Sequence, residues 1–92
     1  MLKIDIVTIS FNSEKTIERT LISVQEQREF VNNYIVIDGN STDKTREIIS
    51  KYSDIITFAK SENDRGISDA FNKGIEKCTG DFILLLNSGL VS

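Results

Sequence analysis

The sequence predicts an α/β fold with a Rossmann-like βαβαβαβ order, a mostly parallel sheet and helices on both faces. Three observations predict it. Four short apolar runs, Ile4 to Ile9, Tyr34 to Ile37, Ile55 to Ala59 and Phe82 to Leu86, are rich in Ile, Val, Leu and Phe, and each gives way to polar residues. The three stretches between them are long enough for a helix and carry apolar residues at helical spacing. No proline, repeat or low-complexity tract breaks the alternation across the 92 residues, so a single domain is expected over 1–92.

The first run follows Met1-Leu2-Lys3-Ile4-Asp5, whose charges fall inside the apolar stretch, and the longest unbroken apolar run is Phe82 to Leu86. Neither a signal peptide nor a spanning helix is expected, and the cytoplasm, at or away from the inner face of the membrane, is the expected setting. The next stretch places Ile17, Leu21 and Val24 on one helical face, with Asn12 or Ser13 available to cap its start. After the second run, Ser41 to Asp43 offers capping side chains before Ile48, Ile49 and Tyr52. The third helix is the clearest, with Ile67, Ala70, Phe71, Gly74, Ile75 and Cys78 in one stripe and Thr79-Gly80-Asp81 to stop it. Phe82 to Leu86 reads as a central strand, yet six residues follow it. The expectation is therefore a truncated chain of marginal stability whose last strand is uncovered and open to self-association.

Composition excludes several functions. A net charge of -3 and a pI near 4.8 do not suit a surface that neutralises phosphodiester backbones, so no nucleic-acid partner is expected. One cysteine closes no intramolecular disulfide, and without histidine there is no zinc site. No G-x-G-x-x-G follows the first strand and no G-x-x-x-x-G-K-[ST] occurs, which argues against dinucleotide dehydrogenases and P-loop enzymes.

In an open parallel sheet, ligands bind beyond the carboxyl ends of the strands. Those ends are Ser10-Phe11-Asn12-Ser13, Asp38-Gly39-Asn40-Ser41, Ser61-Glu62-Asn63-Asp64 and Asn87-Ser88-Gly89. A carboxylate such as Asp38, with amides and hydroxyls around it, suits a nucleobase and ribose. Each residue also has a plainer use. Asp38 to Ser41 suits a strand-to-helix turn, Asn12 and Ser13 suit a helix cap, and Asp64, Arg65 and Asp69 suit a solvated helix entrance. Phe71 and Cys78 belong to the apolar stripe and to the core.

Together, Val7-Thr8-Ile9-Ser10-Phe11-Asn12, Ile37-Asp38-Gly39-Asn40-Ser41-Thr42-Asp43-Lys44-Thr45, the segment from Asp64-Arg65-Gly66 to Asn72-Lys73-Gly74-Ile75, and Gly80-Asp81-Phe82-Ile83-Leu84-Leu85-Leu86-Asn87-Ser88 resemble family 2 glycosyltransferases of the GT-A fold. Within that family the chain looks most similar to bacterial enzymes of surface polysaccharide assembly. The resemblance implies the donor-binding part of an inverting hexosyltransferase. Its donor would be a nucleotide-diphosphate sugar, commonly a UDP sugar, held by Thr8, Phe11, Asn12 and Asp38 with Asp64 and Asp69 beside them. Asp38 would take the base. The acceptor, a glycan or lipid-linked sugar, and the general base belong to sequence downstream in the family, so no catalytic residue is assigned and the isolated chain is expected to be inactive. Many members carry an Arg where Phe71 stands. The family also implies Mg or Mn, held by an acidic motif after the fourth strand, but this chain reads Asn87-Ser88-Gly89-Leu90, and Leu90 supplies no hard anionic oxygen. Two other readings fit the pattern of elements: a non-catalytic nucleotide-binding remnant, and a flavodoxin-like or receiver domain. The ending of strand one in Ser10-Phe11-Asn12 counts against a receiver, which needs acidic residues there.

Overall fold

The computed structural model describes residues 2–88. Its elements are β1 (Ile4–Ser10), α1 (Ile17–Glu26), a short 3-10 turn (Arg28–Phe30), β2 (Val31–Asp38), α2 (Thr45–Ser50), β3 (Phe58–Ser61), α3 (Ile67–Ile75) and β4 (Phe82–Ser88). The strands form one sheet in the order β3-β2-β1-β4, every pair parallel. Chain order therefore runs outward from β1 to β3 and then returns to the other side of β1. That reversal is a topological switch point, where open α/β sheets gather ligands.

Alternation along β1 and β2 divides the core into two layers, as expected for strands covered on both faces. Ile6, Tyr34 and Val36 pack with Ile17, Leu21 and Val24 of α1 and Ile49 of α2. Val7, Ile9, Ile35 and Ile37 meet Ala70 of α3, with Ile67, Phe71 and Cys78 against them. The stripes of α1 and α3 thus face the sheet as their spacing predicts. Burying a side chain such as Leu21 contributes about 2 kcal/mol. Gly74 allows α3 to approach, because a Cβ there would run into the side chain of Val7. Cys78 bonds through Sγ to the Gly74 carbonyl at 3.6 Å, and burial, helped by the nearby Asp5 charge, pushes its thiol up, away from the thiolate a nucleophile needs.

Three boundaries differ from the sequence reading. β2 starts at Val31 rather than Tyr34, because Asn32 and Asn33 serve Asp5 while remaining in the strand. The third strand begins at Phe58, not Ile55. Ile55 and Ile56 lie in the preceding turn and fill the edge of the α1/α2 core, so their apolar character reflects packing and not sheet pairing. Neither Asn12 nor Ser13 caps α1 with its side chain; the cap position is Thr16, also without a side-chain bond.

Asp5 fastens the amino-terminal end of the sheet. It is fully buried and accepts from Asn32 Nδ2 at 2.9 Å, Asn33 N at 3.0 Å, Thr79 N at 2.6 Å and Gly80 N at 2.8 Å. Burial alone would raise its carboxyl; the hydrogen bonds from Gly80, Thr79, Asn32 and Asn33 outweigh that and hold it below the usual aspartate value. Through these bonds β1 positions both β2 and the entry to β4. Among the described residues β4 pairs with β1 alone, and Phe82, Ile83, Leu84 and Leu85 are 41–55% exposed along it. Successive side chains of a strand point to opposite faces, so these exposed residues lie on both faces of β4, while Leu86 packs against the α1/α2 core.

Candidate functional site

The last residues of the four strands stand in one row across the sheet: Ser61, Asp38, Ser10 and Ser88 are register partners. Register partners in a parallel sheet share a face, so two serines flank Asp38. Ser10 Oγ donates to Asp38 Oδ1 at 2.7 Å and Ser61 Oγ to Oδ2 at 2.8 Å. Ser41 completes the set from the following loop, its hydroxyl donating to Oδ1 at 2.6 Å and its N–H to Oδ2 at 2.8 Å. Asp38 is 2% exposed. An ionised carboxylate has about four acceptor positions, and all are used inside the chain.

The loops after β1 and β2 are bound to each other by the same kind of chemistry. Asn12 N donates to Ser41 Oγ at 2.8 Å, Thr42 N to Asn12 Oδ1 at 2.8 Å, Ser13 N to Thr45 Oγ1 at 2.7 Å and Glu14 N to Asp43 Oδ2 at 3.2 Å. Asp43 Oδ1 accepts from Thr45 N at 2.9 Å, one residue ahead of the α2 cap position, Lys44, which itself makes no side-chain cap bond. Asn12 and Asn40 take positive φ, 46° and 65°, a conformation asparagine tolerates better than most residues. Asn40 Nδ2 reaches Asn63 Oδ1 at 3.3 Å and so joins the third loop to the second.

That third loop is held at the entrance to α3. Asp64 Oδ1 accepts from Gly66 N at 3.0 Å and Asp69 Oδ2 from Arg65 N at 2.9 Å, which is the helix-entrance role expected for these acids. Gly66 sits at φ +114°, where a side chain would be strained. Lys73 Nζ donates to the Asn63 carbonyl at 2.8 Å and lies 3.4 Å from both Glu62 and Asp69. Partial burial lowers Lys73, and the carboxylates of Asp69 and Glu62 more than offset this, so its ammonium titrates above the ordinary lysine value. The Arg65 N–H holds Asp69 below its ordinary value despite some desolvation, with help from Lys73.

Of the residues singled out in the sequence, Phe11, Asn12, Asp38, Asp64 and Asp69 come to this rim. Thr8 does not. It is fully buried within β1, its hydroxyl 2.7 Å from the Tyr34 phenol, and burial pushes that phenol up to about 12. The structure places the Thr8 side chain in a core hydrogen bond and not on the rim surface. Asp38, expected to take the base, has its oxygens turned to its own serines. Being covered and fully bonded, it is also unsuited to the phosphorylation that a receiver domain needs. Sequence reasoning placed Ser10 and Ser61 among the polar strand ends without pairing them to Asp38, and missed Lys73; the serines close the strands flanking Asp38, and Lys73 follows Asp69 by four residues, one helical turn.

A divalent cation needs several hard oxygen ligands. Among the described residues no group of three or more His, Cys, Asp or Glu side chains is placed to hold a metal. At the end of β4, Ser88 is buried with its hydroxyl 3.4 Å from those of Thr16 and Thr20, neutral oxygens that do not suit such an ion. Gly89 and Leu90, where the acidic motif is replaced, lie outside the described residues. Among the described residues no helix is long and apolar enough to cross a membrane.

The family model for glycosyl transferase family 2 matches residues 5–90. An uncharacterized glycosyltransferase of Mycobacterium tuberculosis is 37% identical over 86 residues, covering 92% of this chain and 33% of that protein. A putative teichuronic acid biosynthesis glycosyltransferase of Bacillus subtilis, TuaG, is 33% identical over 88 residues, covering 92% and 35%. The chain spans about a third of the length of these relatives. Among solved structures, the mannosyltransferase PcManGT of Pyrobaculum calidifontis, in complex with GDP-Man and Mn2+, superposes with a TM-score of 0.82 at 21% identity, covering 95% of this chain and 27% of that one. Glucosyl-3-phosphoglycerate synthase of Mycobacterium tuberculosis, in complex with Mn2+, UDP and glucosyl-3-phosphoglycerate, gives 0.79 at 23% identity, covering 98% and 34%. At these identities the structures share the fold.

Proposed function

Because this chain belongs to glycosyl transferase family 2, we propose that its strand-end rim is the donor-binding part of a transferase that moves a hexose from a nucleotide-diphosphate sugar, in the first instance a UDP sugar, to a glycan or lipid-linked acceptor in surface polysaccharide assembly. The observation that carries the reading is the joining of the loops after β1, β2 and β3 into one hydrogen-bonded rim at the switch point of the sheet. Such a rim is pre-organised, so a nucleotide meets loops whose ordering has already been paid for by folding. Phe11, 44% exposed, offers an aromatic ring on the same rim. The teichuronic acid relative supports the polysaccharide setting.

In the reaction proposed, an acceptor oxygen forms a bond to the anomeric carbon as the bond from that carbon to the nucleotide diphosphate breaks, with inversion. The residues of this chain bind and orient the donor, and none is assigned the removal of the acceptor proton. Among the rim carboxylates, Asp38 is engaged with four donors and Asp69 with Arg65 N and Lys73, while Asp64 takes the Gly66 N–H on Oδ1 alone. The chain by itself is thus proposed to hold a donor at the cytoplasmic side without turning it over.

Calorimetric titration with UDP, with and without manganese, tests this. Saturable binding with no hydrolysis or transfer is the expected result, its affinity unchanged by manganese. Absence of binding by UDP and by GDP would contradict the reading.

A further inference from the structure

We infer that Asp64, rather than Asp38, is the carboxylate that reads the nucleobase, at a point it reaches because residue 39 is a glycine. The inference rests on the donor-site reading above and assigns the recognition residue within it. Asp38 has no acceptor position left, whereas Asp64 is bonded on one side only. Its Oδ1 takes the Gly66 N–H, and its Oδ2 is buried with no hydrogen-bond partner. Buried polar atoms are nearly always partnered, and an orphaned carboxylate oxygen at a ligand rim calls for a donor from outside the chain.

Gly39 explains how the oxygen comes to lie there. A Cβ built on Gly39 would fall 2.9 Å from Asp64 Oδ2 and 3.3 Å from Phe11 Cδ1. The described glycine in the left-handed region is Gly66; Gly39 is not in that region, so its backbone does not require glycine. The requirement is space. Removing one side chain lets a carboxylate oxygen and a half-exposed aromatic ring close on the same point above the backbone of the β2 loop. The supports are fixed on all sides: Gly39 N donates to the Ser10 carbonyl at 2.8 Å, and Lys73 holds the Asn63 carbonyl beside Asp64.

A carboxylate oxygen and an aromatic ring brought to the same point make a base-recognition pair, the ring supplying stacking and the oxygen accepting an in-plane N–H. Oδ2 is covered in this structure, so the base must displace a neighbouring group to reach it. An ionised carboxylate only accepts, so the base must present a donor at that position. Uracil N3–H does so; the N3 lone pair of cytosine meets the oxygen with repulsion. A site built around one hydrogen bond rejects a base that lacks the donor far more strongly than a merely apolar pocket does.

The test is titration of UDP and CDP into the wild-type chain and into Asp64→Asn and Gly39→Ala, with melting curves recorded for each. The wild type is expected to prefer UDP by about tenfold or more. In Asp64→Asn the amide can donate to cytosine N3, so UDP weakens, CDP strengthens and the preference falls to about one. Gly39→Ala removes the preference without changing any charge, because its methyl group displaces Oδ2. A folded variant of either kind that retains the wild-type UDP preference overturns the inference while leaving the donor-site reading intact. A wild-type chain that binds neither nucleotide overturns both.

Discussion

Two buried aspartates stand on neighbouring strands at opposite ends of the sheet, and their donors differ. Asp5, near the start of β1, is held by three backbone N–H groups and one side-chain amide. Asp38, at the end of β2, is held by three serine hydroxyls and one backbone N–H. Backbone donors cannot turn away without moving the chain, whereas a hydroxyl can rotate to another acceptor. The amino-terminal end is thereby a fastening, and the carboxyl-terminal end a network of hydroxyls that joins the rim loops to a common acceptor. The orphaned oxygen, Asp64 Oδ2, also lies at the carboxyl-terminal end. The comparison teaches that a buried, fully bonded acid marks structure at either end, and that the atom left unpaired beside it is the better guide to recognition.

The largest expected effect breaks the fastening. Asp5→Ala leaves the amides of Asn33, Thr79 and Gly80 without their acceptor and should cost about 3 kcal/mol in denaturant unfolding. The same carboxyl predicts an acid limb. Its folded value lies below the unfolded one, so its contribution is complete above the usual aspartate range, about pH 4, and is lost as pH falls through the lower folded value. Flat stability from pH 5 to pH 2 would break the comparison.

Asp38→Ala comes next, at about 2 kcal/mol, because the released hydroxyls can rotate toward water. Its distinguishing effect is on ligand: loops organised through Ser10, Ser41 and Ser61 lose their common acceptor, and UDP binding should be lost in calorimetry. Thr8→Val is smaller again, about 1 kcal/mol for an abandoned Tyr34 hydroxyl. UDP affinity should be unchanged, and a tenfold loss would return Thr8 to the site. Leu84→Ser, on open β4, should shift unfolding by no more than about 0.5 kcal/mol, since it removes little packed surface. A cost of several kcal/mol would show that β4 is covered in solution by another copy of the chain.

The fold was legible where burial and periodicity coincide. The stripes Ile17, Leu21, Val24 and Ile67, Ala70, Phe71, Gly74 face the sheet, and four apolar runs mark four strands. Periodicity failed where apolar residues pack without pairing, as at Ile55 and Ile56, and where polar residues pair because a buried acid needs them, as at Asn32 and Asn33. The rim was legible as a set of polar strand ends and through the family resemblance. Which atoms are available there was not, because availability depends on register. Only alignment of Ser10 and Ser61 beside Asp38 shows that its oxygens are taken. The depth of Thr8 was not legible for a related reason: both faces of β1 are covered, so alternation alone does not distinguish a residue at the rim from one in the core.

The central claim is that the carboxyl-terminal rim, and not the fastened end, receives a nucleotide. Backbone amide shifts recorded during a UDP titration test it most directly. The account predicts movement at Phe11, Asn12, Gly39, Ser41, Asp64 and Gly66, with Asn33, Thr79 and Gly80 unmoved. Shifts concentrated at Asn33, Thr79 and Gly80, or none at any of the nine amides at saturating UDP, would contradict it.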